Sequence, residues 1–140
     1  LRRLDRRVLS DVRELFGDRF RFLVTPGVGL DSSTAELLEL AGVTVLELYG
    51  RPETAGAVSV ALPADRGSGT SGRPLPGTEV RLEDEEVLVS GPGLMDGYHR
   101  RRHDTAAALD NGWLHTGDTG VLDARGRLRV LGRLVRTGEE

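Results

Sequence analysis

Within residues 20–48 an apolar, partly alternating run is followed by a polar cap and a short amphipathic stretch, and then by a second apolar run. The first run is Phe20-Arg21-Phe22-Leu23-Val24, stopped by Thr25-Pro26-Gly27, and the second is Val43-Thr44-Val45-Leu46-Glu47-Leu48. Between them Asp31-Ser32-Ser33 offers N-cap side chains, Glu36 stands three positions after Ser33 as in a capping box, and Leu37, Leu38 and Leu40 supply a buried stripe up to Gly42. Two strands joined through one helix by short connections pair in parallel, so the spacing predicts an α/β layer. A helix precedes the layer, because Leu4, Val8, Val12, Leu15 and Phe16 recur at three- and four-residue steps before Gly17.

After about residue 56 the pattern changes to short strands separated by glycine, proline and aspartate: Ala57 to Leu62, Glu79 to Leu82, Glu86 to Ser90, Gly120 to Leu122 and Arg127 to Leu131. One helix interrupts them, capped by Asp104 or Thr105 and ending at Asp110-Asn111-Gly112. The expected fold class is therefore α/β, a strand-helix-strand parallel layer followed by a mostly antiparallel β subdomain. The expected division is 1–56, 57–133 and a short tail, 134–140.

A chain of 140 residues with 38% hydrophobic content can build a core without disulfides. It has no cysteine, which removes thiol nucleophiles and thiolate metal sites, fits a reducing compartment and points to a cytoplasmic protein. The net charge of −3 argues against nucleic acid as a partner, and the sequence holds no apolar run long enough to span a membrane. All 19 basic residues are arginine, so no lysine chemistry can occur on these residues.

Two segments carry candidate chemistry. Tyr49-Gly50-Arg51-Pro52-Glu53-Thr54 follows a strand at the carboxyl edge where open α/β sheets place ligands. There a tyrosine can stack on a base, a glycine permits close backbone approach, and a carboxylate can hold magnesium bound to phosphate. The same spacing also suits a strand-to-helix turn with Glu53 complementing a helix dipole. In Gly112-Trp113-Leu114-His115-Thr116-Gly117-Asp118 the aspartate can accept from both ribose hydroxyls, or the segment is a hairpin with Trp113 in the core. Arg133 closes the last strand, as a ribose or phosphate contact or as a surface group. His99 and His103 would share a helical face, although the intervening Arg100-Arg101-Arg102 reads better as a solvated turn, one that could also draw CoA phosphates. Gly67 to Pro74 can cradle phosphate or form an exposed turn entering a strand.

Phe22 to Gly27, Tyr49 to Thr54, Gly69 to Gly77, Gly97-Tyr98, Gly112 to Asp118 and Gly132-Arg133 stand in the order found in the adenylate-forming (AMP-binding) superfamily, which the chain resembles over nearly its whole length. The glycine-tryptophan segment is most similar to the acyl-CoA synthetase branch. The resemblance implies an ATP- and magnesium-dependent acid–thiol ligase that adenylates a carboxylic acid and passes the acyl group to CoA. It assigns Gly27 to the adenine side, Tyr49 with Gly50 to adenine, Asp118 to the ribose hydroxyls, Arg133 to the ribose and Glu53 to magnesium. It implies a fragment from the later part of a large N-terminal domain up to a hinge.

The chain departs from the family pattern at Pro52, where a phosphate-binding threonine is usual. The segment 134–140 is shorter than the usual hinge, and the family's catalytic lysine is absent. A noncatalytic assembly module, one half of a split enzyme completed by another polypeptide, and self-association through apolar sheet edges follow as further expectations.

Overall fold

A computed structural model of the chain describes residues 6–26, 31–65 and 70–134. The first helix, α1, runs Arg6–Phe16 and ends at Gly17, whose φ of +74° and N–H to the Glu14 carbonyl close the last turn. Leu4 of the expected stripe lies outside the described residues, and Leu15 is exposed. The following strand β1 covers Phe22–Pro26, two residues later than the apolar run predicts. Phe20 is used otherwise: its N–H closes a turn on Gly17 and its ring packs 4.6 Å from that of Phe16.

Helix α2, Ser32–Leu40, is capped by Asp31, whose side chain accepts from the N–H groups of Ser33 and Thr34 at 3.1 and 3.0 Å. The cap is Asp31 and not the box expected between Ser33 and Glu36. Gly42 (φ +78°) then turns the chain into β2, Thr44–Tyr49, which pairs with β1 in parallel from Phe22 opposite Thr44 to Pro26 opposite Leu48. The strand-helix-strand layer is thus present.

A single 3-10 turn at Pro52–Thr54 and left-handed Ala55 and Gly56 send the chain back as β3, Ser59–Ala61, antiparallel to β2, and β4, Arg73–Pro74, adds beyond it. The first sheet is β1-β2-β3-β4, and the chain leaves it after Pro74.

The second sheet is antiparallel throughout: β5 (Glu79–Glu83), β6 (Glu86–Ser90), β7 (Leu109–Asp110), β8 (Trp113–Leu122) and β9 (Leu128–Arg133), in the order β5-β6-β8-β7 with β9 on β8. The short strand expected from Gly120 is the last third of the ten-residue β8. Gly117 and Gly120 look like breaks in the sequence, but Gly117 takes φ +67° within the strand. Gly120 lies where a Cβ would stand 2.7 Å from Val87 Cγ2 and 2.9 Å from the Arg129 carbonyl, so the strand needs glycine there. Helix α3, Arg102–Ala108, starts before its expected caps. Its N-cap is Arg101, the Thr105 hydroxyl donates back to the Arg101 carbonyl, and Asp104 pairs with the Arg101 guanidinium.

The two sheets share one core. Tyr49 from the first, with Val58 just before β3, packs with Val87, Val89 and Leu128 from the second, all buried. A fully buried valine or leucine contributes about 1.5–3 kcal/mol. The seam is stitched by backbone as well: Leu128 N–H donates to the Gly72 carbonyl at 2.8 Å, and Ser71 N–H to the Leu128 carbonyl at 2.7 Å. Opposite the seam, β1 carries Phe22 and Val24 half-exposed.

Candidate nucleotide site

Tyr49 is the last residue of β2, at the carboxyl end of the parallel pair. On β8 alternate residues point inward, so Leu114, Thr116, Asp118 and Gly120 are buried. Packing one sheet on the other brings Tyr49 and Asp118, 69 residues apart, into a hydrogen bond: the phenol donates to Asp118 Oδ2 at 2.7 Å. Arg51 Nη1 donates to the same oxygen at 3.2 Å. Arg133 faces Asp118 across the β8–β9 ladder, and its Nη1 donates to Oδ1 at 2.8 Å and to the Thr116 carbonyl at 3.3 Å.

Glu53 joins through two partners. Tyr98 Oη donates to Oε1 at 2.8 Å, while Oε2 is 3.6 Å from Arg51 Nε, too long for a hydrogen bond. Of the expected residues, Tyr49 and Arg133 therefore converge on Asp118, Arg51 links Asp118 to Glu53, and Gly27 lies outside the described residues. Gly50 serves its own turn, since a Cβ there would stand 2.2 Å from the Gly56 carbonyl oxygen.

Four participants carried no role in the sequence reading. Arg51 stands within the Tyr49–Thr54 motif and Tyr98 within the glycine-tyrosine landmark, and neither carries an assigned contact there. The Thr116 hydroxyl donates to the Val87 carbonyl at 2.7 Å and accepts from Asp118 N–H at 3.1 Å, holding the aspartate backbone to β6. Buried Glu86 accepts the Gly117 N–H at 2.8 Å and lies 3.0 Å from His115 Nδ1. Among the described residues no three His, Cys, Asp or Glu side chains cluster as a metal site, and His99 and His103 are exposed.

Two other candidates resolve into structure. Thr70 donates its hydroxyl to the Leu128 carbonyl at 2.6 Å and Ser71 gives that carbonyl its N–H, so the described end of the glycine-rich run belongs to the seam. Trp113 is half-buried beneath the Arg81 guanidinium, 4.3 Å from its ring centre, and outside the core cluster.

Burial opposes the charge on Asp118, but the Tyr49 hydrogen bond, then Arg133 and Arg51, outweigh it and hold the carboxyl below its ordinary value of 3.8. Burial, with Asp118 beside it, pushes the Tyr49 phenol far above its ordinary 10. Glu53 is likewise held down against burial by the Tyr98 hydrogen bond, which in turn raises Tyr98.

A depressed carboxyl contributes stability that is complete above the unfolded value and lost as pH falls through the folded one. A raised phenol contributes stability that is complete below pH 10 and lost as pH rises beyond it. Urea midpoints should therefore be flat at neutral pH and fall below about pH 4 and above about pH 10. Tyr49→Phe should remove most of the alkaline fall, and an unchanged alkaline limb in that variant would contradict the assignment.

The residues present fit a nucleotide and a divalent cation. A carboxylate has about four acceptor positions, and Asp118 uses three, two at Oδ2 and one at Oδ1. Arg133, whose side chain is 64% exposed, is the donor most easily exchanged for a ribose hydroxyl. Glu53 Oε2 is buried with no hydrogen-bond partner, an orphan a cation would satisfy. Magnesium is held by one or two carboxylates together with phosphate and water, so a single glutamate suffices.

An ionised aspartate held by three donors lies beside a glutamate with one buried, unpaired oxygen, on a frame that passes from a parallel-containing sheet to an antiparallel one. Residues 5–99 match the AMP-binding enzyme family, and the chain belongs to it. It is 37% identical over 130 residues to the long-chain-fatty-acid–CoA ligase FadD15 of Mycobacterium bovis, a match over 92% of this chain and 22% of that protein. Among solved structures it resembles O-succinylbenzoate coenzyme A synthetase of Bacillus subtilis in complex with ATP and magnesium ion, with a TM-score of 0.75 and 28% identity over 89% of this chain and 30% of that one. It also resembles the N-terminal domain of FACL13 from Mycobacterium tuberculosis, with a TM-score of 0.77 and 27% identity, covering 89% and 36% of the two chains. The chain spans about a fifth of the length of the curated relatives it matches. Among the described residues no helix is long and apolar enough to cross a membrane.

Proposed function

We propose that these residues form the adenosine side of the active site of an ATP-dependent acid–thiol ligase. Such an enzyme joins a carboxylic acid to ATP as an acyl-adenylate and passes the acyl group to the thiol of CoA. The hydrogen bonds that draw Tyr49, Arg51 and Arg133 onto Asp118 carry this reading, because they build an oriented, ionised acceptor at the carboxyl end of the parallel strand pair. Asp118 takes the ribose hydroxyls and Arg133 moves off Oδ1 to the ribose edge. Tyr49, 5% exposed, holds the aspartate and offers what remains of its ring to adenine, with Gly50 shaping the turn and Gly27 on the adenine side. Glu53 holds magnesium, which neutralises phosphate charge when bound. The acid is open, since the relatives' names range from long-chain fatty acids to succinylbenzoate.

With no lysine in 140 residues and proline at position 52, these residues alone are incomplete for turnover. The cysteine-free composition fits a cytoplasmic enzyme. Pro52 also favours a second reading, a noncatalytic module that binds another polypeptide or completes a split enzyme.

Calorimetry on the purified 140-residue chain separates the two. Adenosine should bind at least about tenfold tighter than 2′,3′-dideoxyadenosine, the worth of a hydrogen bond to a charged group. ATP–pyrophosphate exchange with a panel of carboxylic acids should be absent. Turnover would overturn the incompleteness, and equal or absent nucleoside binding would leave the module reading.

A further inference from the structure

Among the described residues Arg51 is the one group that reaches both functional carboxylates, and both contacts are long for a charged pair. Its Nη1 reaches Asp118 Oδ2 at 3.2 Å, an oxygen Tyr49 already holds at 2.7 Å. Its Nε stands 3.6 Å from Glu53 Oε2, close enough for attraction but leaving that buried oxygen without a hydrogen bond. The guanidinium is therefore shared between two anions, with one long hydrogen bond to Asp118 and none to Glu53.

Its backbone, in contrast, is pinned. Arg51 N–H donates to the Thr54 hydroxyl at 3.1 Å, while the Arg51 carbonyl accepts from Thr54 N–H at 3.0 Å, from the Thr54 hydroxyl at 2.9 Å and from Gly56 N–H at 2.9 Å. Thr54 is buried, and Pro52 presets the first residue of the 3-10 turn. Arg51 thus has a fixed pivot and a side chain that can swing, 24% exposed.

Two further considerations direct that swing. Pro52 has neither hydroxyl nor N–H, so between Arg51 and Glu53 the turn offers no donor of its own, and the Arg51 side chain is the cationic donor within reach of both carboxylates. An arginine fork binds phosphate through two parallel hydrogen bonds, a better geometry than either of its present contacts. A cation at Glu53 and the Arg51 charge also compete for one carboxylate, so Glu53 takes a metal readily only once Arg51 has left it.

We propose that Arg51 is the phosphate-binding residue of this site: it rests between Glu53 and Asp118, moves to the phosphate of an incoming nucleotide, and thereby opens Glu53 to a divalent cation. The proposal rests on the nucleotide reading of the site.

The test compares the protein with its Arg51→Gln and Arg51→Lys variants, each shown to be folded by circular dichroism. Two quantities are read: the ratio of AMP to adenosine affinity by calorimetry, and Mn²⁺ affinity without nucleotide by the resonance signal of the free ion. Whatever Arg51 does for Asp118 affects AMP and adenosine alike, so the ratio isolates phosphate. Arg51→Gln should lower the ratio about tenfold, the worth of a charge-assisted hydrogen bond, and raise nucleotide-free Mn²⁺ affinity about tenfold. Arg51→Lys, which keeps the charge, should retain most of the ratio.

An unchanged ratio in Arg51→Gln, with adenosine still bound, overturns the phosphate role and leaves the nucleotide site standing. A fallen ratio with unchanged Mn²⁺ affinity overturns the competition at Glu53. If the unmodified protein binds neither adenosine nor AMP, the nucleotide reading fails and this proposal falls with it.

Discussion

Asp118→Ala should lose about 2–3 kcal/mol of stability and weaken adenosine binding about a hundredfold, the largest functional effect of any single substitution in the site. The stability loss follows from what the carboxylate leaves behind. Tyr49 Oη would remain buried with its acceptor gone, at the cost of an unsatisfied buried hydroxyl. Arg51 would keep only its 3.6 Å approach to Glu53, with a side chain 24% exposed and so partly rescued by water. Arg133 would lose its 2.8 Å bond but, at 64% side-chain exposure, would return to solvent at little cost. That discount places the estimate below the range for a fully buried ion pair.

The binding loss arises from two hydroxyl contacts to one charged acceptor, each worth about 1.5 kcal/mol or more. Asp118→Asn should fall between, because it keeps an acceptor for Tyr49 but turns an amide toward a guanidinium. Urea unfolding and adenosine calorimetry on both variants check this. An alanine variant within about 0.5 kcal/mol of the parent would show that the three donors are satisfied elsewhere.

The parallel layer was legible because its signals are local: two apolar runs, a cap and a glycine stop. Its errors were local as well. Of the cap side chains on offer Asp31 serves, its one carboxylate taking two N–H groups in place of the Ser33–Glu36 box, and Phe20 packs on Phe16 instead of opening the strand. In the sequence, β8 looks like a glycine-rich motif followed by a short strand. What makes Gly120 obligatory within a long strand is Val87, 33 positions away in the chain, and no local pattern carries that.

The site divides similarly. Tyr49, Glu53, Asp118 and Arg133 could be proposed because their residue types and order match a family. Arg51, Tyr98, Glu86 and Thr116 act through partners that only folding brings near. The sequence also left open whether Asp118 waits as a bare acceptor, whereas the fold fills three of its positions with protein donors.

The largest stability effect is expected at Gly72, far from any ligand group. Gly72 has φ +81°, and a Cβ there would stand 1.8 Å from the Val60 carbonyl oxygen, 2.0 Å from its carbon and 2.2 Å from Ala61 N. These are backbone atoms of β3, so no rotamer change relieves the clash. Gly72 cannot retreat either, because its N–H donates to Thr70 Oγ1 at 3.0 Å and its carbonyl accepts Leu128 N–H at 2.8 Å. Gly72→Ala must therefore part β3 from β4 or open the seam to Leu128, at about 3 kcal/mol or more beyond the left-handed backbone cost.

Gly126→Ala supplies the comparison, with φ +71° but open space within 4 Å of its Cβ, and it should cost only about 1 kcal/mol. The difference between their urea midpoints isolates the clash. Because the seam holds the first sheet to β9, and β9 pairs with β8, partial opening should also break the Tyr49–Asp118 bond, so any folded Gly72→Ala protein should lose adenosine affinity while Gly126→Ala keeps it. Equal stability of the two variants would mean that the first sheet can shift on the second without strain, and the packing that joins Tyr49 to Asp118 would then need another source.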